Sequence, residues 1–443
     1  MESELTHAVT LLVGQLAVIL VVAKLCGEVF ERYLRQPGVL GELIGGVIIG
    51  PHLLGGVPLF GLGPLFPSPL ESSSQGAASI PISPELYAVA QVAAVVLLFM
   101  AGLETDLQQF FRYGGAAVLV AVGGVALPFF LGAAISVGFG ISSSLIDPSA
   151  LFVGAILTAT SVGITARVLG DLRRLATPEG VTILAAAVID DVLGILVMTV
   201  VVGLGVGGSV TATEVGLVAV KAIGFWLTLT LGGILLSRRI SDLLSSLRSD
   251  GASLAMAVAM AFGAAALAQA FGLALIIGAY SVGLALSTTK IAEDLERPLG
   301  GLYQVLVPVF FVVMGMLVDL RAMQGVLAFG LVVTLLAIVG KIAGCGLPAL
   351  LVGFNGYGAL RVGLGMLPRG EVALIVAGVG LSSGVITGSL FGVAVMMTLV
   401  TTLLAPLLLV PAFRLGGEGT RRPGAGQTIA SGPAGGHRLM QNS

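Results

Sequence analysis

The sequence predicts an all-α polytopic membrane protein of about thirteen transmembrane helices, arranged as inverted repeats with two broken crossing helices. Three observations carry that expectation. The composition suits a chain surrounded by lipid, apolar runs long enough to cross a bilayer follow one another almost end to end, and two of those runs are interrupted in mid-span.

Of 443 residues, 56% are hydrophobic and 10% charged, with a mean hydropathy of +1.08. A soluble domain typically carries about 25% charged residues. The formal net charge of −2 leaves no electrostatic footprint for nucleic acid. The 65 glycines follow no G-X-Y period and read as small residues that let apolar helices approach closely. Cys26 and Cys345 lie in apolar stretches, so buried free thiols are expected rather than a disulfide or metal framework. The histidines His7, His52 and His437 are too scattered for a metal site. The stretch from Met1 to His7 is acidic and the first apolar run lacks a cleavage pattern, so that run is expected as a permanent span.

The first seven segments run from about Ala8 to Phe30, Val39 to Val57, Leu86 to Glu104, Gly115 to Gly138, Ala150 to Gly170, Val181 to Val206 and Thr213 to Ser237. Six more run from about Ala252 to Ala270, Gly272 to Ser287, Leu299 to Asp319, Gly325 to Leu351, Leu360 to Gly384 and Leu390 to Phe413. They are too long and too uniformly apolar for the dyad alternation of a membrane barrel. Arg32, Arg35, Arg112, Arg173, Arg174, Arg238, Arg239, Arg248, Lys290, Arg297, Arg361, Arg421 and Arg422 fall in alternate connections, with Arg321 the exception. The connection from Pro58 to Pro84 has no Lys or Arg. The positive-inside bias therefore puts the N-terminus outside and the C-terminus in the cytoplasm. From Gly416 onward the chain is rich in Gly, Pro and Ser and is expected to be a disordered tail without a soluble regulatory domain.

The fifth segment carries Leu-Thr-Ala-Thr-Ser-Val-Gly at Leu157–Gly163, and the twelfth carries Gly-Met-Leu-Pro-Arg-Gly-Glu at Gly365–Glu371. Pro368 and Gly370 break the backbone ladder, and broken backbone at membrane depth is tolerated where it lines a cavity. The two segments are seven spans apart, so they cross in opposite directions. Such inverted pairs of broken helices point to a transporter's midplane site. At about 1.5 Å per residue, Thr160, Asp190, Lys341 and Glu371 lie roughly 14–16 Å from their cytoplasmic ends, so they converge in depth.

Asp190 and Asp191 stand in Ala-Ala-Ala-Val-Ile-Asp-Asp-Val-Leu-Gly-Ile without a polar neighbour. A charge at the bilayer centre costs at least about 2.5–3.5 kcal/mol, so the pair is expected to have a task. Adjacent helical residues point about 100° apart, so one carboxylate can face a cavity while the other turns to a neighbouring helix. Lys341 is the natural partner: burial and pairing shift its pKa in opposite directions and can poise it to exchange a proton. Arg369 and Glu371 are expected to satisfy the broken backbone or each other. Thr158, Thr160 and Ser161 can supply neutral oxygens to a cation or cap the backbone, and half-helix C-termini favour a cation. Glu42, Lys24 and Lys221 read as span-end or bundle-face residues.

Together these stretches resemble the cation/proton antiporter superfamily, in the CPA2 branch that holds bacterial Na+/H+ antiporters and cyanobacterial relatives. The matching stretches are Gln36–Glu42, Leu97–Asp106, Ala159–Leu169, Val188–Gly194, Lys341 and Pro368–Val376, in the family's order. The resemblance implies an NhaA/NapA-like antiporter fold and a homodimer in the lipid bilayer. It implies a panel domain (1–107 and 252–320), a mobile core (115–206 and 325–414), a linker helix (207–251) and a cytoplasmic tail (415–443). It further implies electrogenic exchange of two protons per Na+ by an elevator movement, with Na+ at Asp191 and Asp190 paired to Lys341. Whether that aspartate or the lysine carries the second proton stays open. Thr160 and Ser161 join Asp190 and Asp191 as ion-binding candidates; Asp190, Asp191 and Lys341 are the proton-coupling candidates.

No cofactor is expected beyond transported Na+ and H+, and neither nucleotide nor nucleic acid is expected as a partner. The plasma membrane of a bacterium is the expected location, with the thylakoid as the alternative. K+ in place of Na+ is the alternative cargo, and sodium-coupled symport of an organic anion is a further rival. An intramembrane aspartyl protease would need two carboxylates from different helices facing one water, whereas these two are adjacent. An ATP-driven pump would need a phosphate-binding Gly-x-x-x-x-Gly-Lys-[Ser/Thr] loop, which the sequence lacks.

Overall fold

A computed structural model describes residues 2–56, 64–67, 82–205, 211–247, 249, 251–319 and 327–421. Fifteen α-helices follow in order: α1 Glu2–Val29, α2 Gly38–Ile49, α3 Pro84–Leu103, α4 Leu107–Gly138, α5 Pro148–Thr158, α6 Val162–Asp171, α7 Pro178–Gly205 and α8 Ala212–Ser245. Then come α9 Ala252–Ala270, α10 Leu275–Leu286, α11 Ile291–Met316, α12 Leu327–Leu351, α13 Gly356–Gly365, α14 Glu371–Ser382 and α15 Gly388–Arg414. A π-helical turn, Phe30–Leu34, closes α1. Among the described residues no strand forms, and a lone bridge joins Phe354 to Thr420.

Among the described residues ten helical stretches are long and apolar enough to cross a membrane, and α5 with α6 counts as one of them. Each of the thirteen expected segments meets a helix or a helix pair. The count itself rests on α2 and α10, each 12 residues and too short alone to cross about 30 Å of hydrocarbon, and on the split pair α13 and α14.

Helix ends extend past the apolar runs because polar caps carry them on. Helix α4 begins at Leu107 rather than near Gly115, since the Asp106 carboxylate accepts from the backbone N–H of Gln108 and Gln109. Helix α8 opens on a reciprocal capping box of Thr211 and Glu214 and continues through Arg238 and Arg239 to Ser245.

The helices pack as two groups. One holds α4 to α7 with α12 to α15, and the other holds α1 to α3 with α8 to α11. Within the first, α4 and α12 approach until Gly123 and Gly344 meet: a Cβ on either would lie 2.2–2.5 Å from the other's carbonyl oxygen. The groups meet where α6 lies on α3 and α2, where α7 runs beside α8, and where α15 touches α2. Gln15 of α1 donates to the Leu65 carbonyl, fixing one point of the connection after α2; most of that connection, and Arg321, fall outside the described residues.

Two sequence expectations change at the arginine-rich end. The stretch after α15 is docked as far as Arg421 rather than free from Gly416. Asn355 donates from its side chain to Glu418 and from its backbone to Gly419, and the Arg421 N–H reaches the Gly353 carbonyl. Arg361, expected in a connection, is buried in α13. It donates to Glu179 at 2.6 Å and to the carbonyls of Ala412, Leu415 and Gly416, ending four carbonyl and carboxylate searches at once.

Candidate ion-binding site

Helices α5 and α6 are one interrupted span, as are α13 and α14, and the two interruptions touch. The Ser161 N–H donates to the Pro368 carbonyl at 2.8 Å, and Thr165 Oγ1 donates to the Gly365 carbonyl at 2.6 Å. Ser149, at the start of α5, donates to Val385, just past the end of α14, so α5 and α14 run antiparallel. Gly370 is needed at the crossing, because a Cβ there would sit 2.9 Å from Ser161 Oγ.

Each interruption frees backbone groups that must find partners away from water. The C-terminal carbonyls of α5 point partial negative charge at the crossing. Two buried cations take them. Arg369, fully buried, donates from Nη2 to Leu157 at 2.6 Å and to Ala337 at 3.3 Å, and from Nη1 to Leu367. Lys341 donates to the Thr158 carbonyl at 2.7 Å. Arg369 thus serves the broken backbone. The side chain of Glu371 lies outside what is described. The α5 terminus, a half-helix C-terminus that favours a cation, is met here by the charges of Lys341 and Arg369.

Lys341 projects from the middle of α12 into the seam between α4 and α7. Its ammonium has three donors. They go to Asp190 Oδ1 at 2.9 Å, the Gly124 carbonyl at 3.0 Å and Thr158. Lysine is 0% and Asp190 2% exposed, so the pair is sealed from solvent. The neighbouring Asp191, at 8%, is not among the lysine's partners. The 100° between consecutive helical residues is consistent with only one of the two carboxylates accepting from the lysine.

The hydroxyls divide too. Thr158 Oγ1 donates back to Ala155 in its own helix, a capping role. Thr160 Oγ1, by contrast, is buried without a hydrogen-bond partner among the described residues. An unsatisfied buried hydroxyl costs about 1–3 kcal/mol, which a water or a cation would relieve. Ser161 is also buried, beside Gly370.

Sequence reasoning missed several partners. Thr165 ties α6 to the end of α13, and the Thr402 hydroxyl donates to the Arg369 carbonyl. Both are single hydroxyls in apolar runs, without a signal of their own. Glu42, read as a span-end residue, is buried against Arg167 of α6.

The matches to known proteins agree in kind. The family model described as "Sodium/hydrogen exchanger, transmembrane" matches residues 17–415. The high-affinity Na+/H+ antiporter NhaS3 of Synechocystis is 36% identical, over 91% of this chain and 91% of its own. The Na+/H+–K+ antiporter GerN of Bacillus cereus is 34% identical, over 90% of this chain and 95% of its own. The solved structure of the sodium proton antiporter MjNhaP1 from Methanocaldococcus jannaschii superposes with a TM-score of 0.64 at 18% identity, covering 92% of this chain and 99% of that one, a likeness of fold.

Proposed function

The chain belongs to the transmembrane sodium/hydrogen exchanger family, and from that premise we propose that it is a secondary active transporter exchanging Na+ for H+ across a membrane. The observation that carries the reading is the division of labour between adjacent aspartates: Asp190 accepts from Lys341, whose other two donors go to the Gly124 and Thr158 carbonyls and not to Asp191. A carboxylate in a low-dielectric site binds a proton or a cation, and both cannot occupy it together. Na+ at Asp191, helped by the neutral oxygens of Thr160 and Ser161, displaces its proton. A second proton leaves from the Asp190–Lys341 pair, which makes exchange electrogenic at two protons per Na+.

The movement we propose is an elevator. The group α4 to α7 with α12 to α15 carries the site, and the other group stays fixed and dimerises with a second copy. The packing supports this, because each group is tied mostly within itself. The face bearing Arg35, Arg112 and Arg174 is cytoplasmic under the positive-inside bias, and a bacterial plasma membrane is the setting. K+ is the second cargo to test, because one of the relatives is named for both ions.

Proteoliposomes holding an inward-acid pH gradient test the proposal. NaCl collapses the gradient with wild type and not with Asp191→Ala. Collapse by KCl alone would change the cargo and keep the mechanism. No response to either, from folded and inserted protein, would return the organic-anion symport reading.

A further inference from the structure

We infer that Arg167 and Glu42 form a latch between the two helix groups, and that by holding α6 on α2 it sets which face of the membrane the ion site meets. The inference rests on the moving-core reading above and adds to it the residues that choose between conformations.

Helix α6 starts at Val162, directly after Thr160 and Ser161, so whatever holds α6 holds one wall of the site. Arg167 lies on it five residues later. Its Nη2 is 3.8 Å from Glu42 Oε1 of α2, its Nε is 3.2 Å from Asp171 one turn on, and its guanidinium carbon lies 5.1 Å from the centre of the Tyr303 ring of α11. The Glu42 side chain is 4% and the Arg167 side chain 12% exposed, so this is a buried contact across the seam and not a surface pair. Glu42 Oε2 has no hydrogen-bond partner among the described residues, and the cations that face this carboxylate are Arg167, at 3.8 Å, and Lys24.

The seam is unevenly open on either side of this contact. Toward the arginine-rich face, Arg167 lines a cavity of about 330 Å3 with Lys24, Ala101, Glu104, Asp171 and Tyr303. On the other side of the contact, at the crossing of the broken helices, Ile164 lines a cavity of only about 20 Å3 with Leu43, Met314, Arg369, Gly370 and Thr402. Ile164 and Arg167 are one helical turn apart. The latch therefore stands between the open cavity and the tight packing at the crossing.

A contact biases a conformational equilibrium only if it differs between the two states. This one does, because sliding α6 past α2 separates the guanidinium from Glu42 and leaves a buried carboxylate with one partner fewer. The open-to-arginine-face state is favoured by the latch, and cation reaching the site from that face meets a larger share of competent protein.

The test uses full-length protein with Cys26→Ser, Cys345→Ala and Met100→Cys, so that one thiol, at a part-exposed position lining the cavity, reports its opening. In Glu42→Gln, labelling of that thiol by a membrane-impermeant maleimide slows on the order of fivefold. The apparent KM for Na+ from the arginine-rich face rises by a similar factor, on the order of fivefold, while the maximal exchange rate is kept within about twofold. The charge swap Glu42→Arg with Arg167→Glu restores both quantities toward wild type, which a purely structural role does not require. Wild-type labelling and KM in Glu42→Gln would overturn the latch, and so would a charge swap as impaired as Glu42→Arg alone. The labelling needs no transport. A wild type that labels as expected yet shows no Na+-driven proton flux would therefore overturn the transport reading and not the latch.

Discussion

Lys341 Nζ lies 2.9 Å from Asp190 Oδ1, and its other two donors are taken by the Gly124 and Thr158 carbonyls. The ammonium joins three helices at a point where water does not reach. Removing one partner of a buried pair leaves an uncompensated charge and costs about 3–5 kcal/mol, whereas replacing both with apolar groups costs far less. Lys341→Met and Asp190→Leu should each lower the apparent unfolding temperature in detergent. The double replacement Lys341→Met with Asp190→Leu should lose less than the sum of the two. Strict additivity would show that the pair is not coupled.

Arg369 poses a sharper geometric demand. Its planar fork reaches the carbonyls of Leu157, Leu367 and Ala337, which belong to three chain segments. A lysine is a single point donor and cannot span them. Arg369→Lys should therefore destabilise nearly as much as Arg369→Ala, as read by thermal melting or by the yield of folded protein. Full rescue by lysine would mean that charge alone is what the crossing needs.

The two threonines near the break should behave differently. Thr158 spends its hydroxyl on Ala155, while Thr160 has none of its own hydrogen bonds made within the described residues. Thr160→Val should raise the KM for the cation on the order of tenfold and leave the melting temperature unchanged or higher, since a hydroxyl serving a ligand costs stability when buried alone. Thr158→Val should change KM less than about twofold. Equal effects at both positions would contradict the assignment.

The helices were legible because bilayer crossing demands long apolar runs, and the broken pair because Pro368 with Gly370 and the Thr158–Ser161 cluster interrupt such runs visibly. Asp190, Asp191 and Lys341 stood out for the cost of a charge in lipid. Partner identity was less readable. That Lys341 takes Asp190 and two carbonyls, and Arg369 the end of α5, depends on how helices five to seven spans apart cross. Glu42 and Arg361 were misjudged for one shared reason. Hydropathy registers a charge near a span end as exposed, yet Glu42 meets Arg167 and Arg361 meets Glu179 in buried pairs contributed by distant helices. The docked stretch to Arg421 escaped notice because Gly-rich sequence reads as loose even where Gly358 and Gly419 pack backbone to backbone.

Glu104, the first residue past α3, gives the pH dependence a handle. Burial, and then the carboxylates of Glu296 and Asp171, push its carboxyl up from 4.5 to about 7. It is neutral below that pH and charged above it, so the cavity it lines gains a negative charge as pH rises through about 7. The ratio of KM for Na+ between Glu104→Gln and wild type should be near unity at low pH and rise on the order of twofold above neutrality. Stability follows the same titration. The folded protein holds this proton more tightly than the unfolded chain, so wild type loses the contribution as pH rises from 4.5 to about 7, and Glu104→Gln does not.

The central claim is that proton and cation compete for Asp191, and proton release on cation binding tests it most directly. Purified protein in weakly buffered detergent solution would receive NaCl, with choline chloride as the ionic-strength control, and the pH would be followed by an indicator dye. The account predicts prompt acidification by Na+ in wild type and its loss in Asp191→Asn. Na+ binding without proton release, or release that survives in Asp191→Asn, would contradict it.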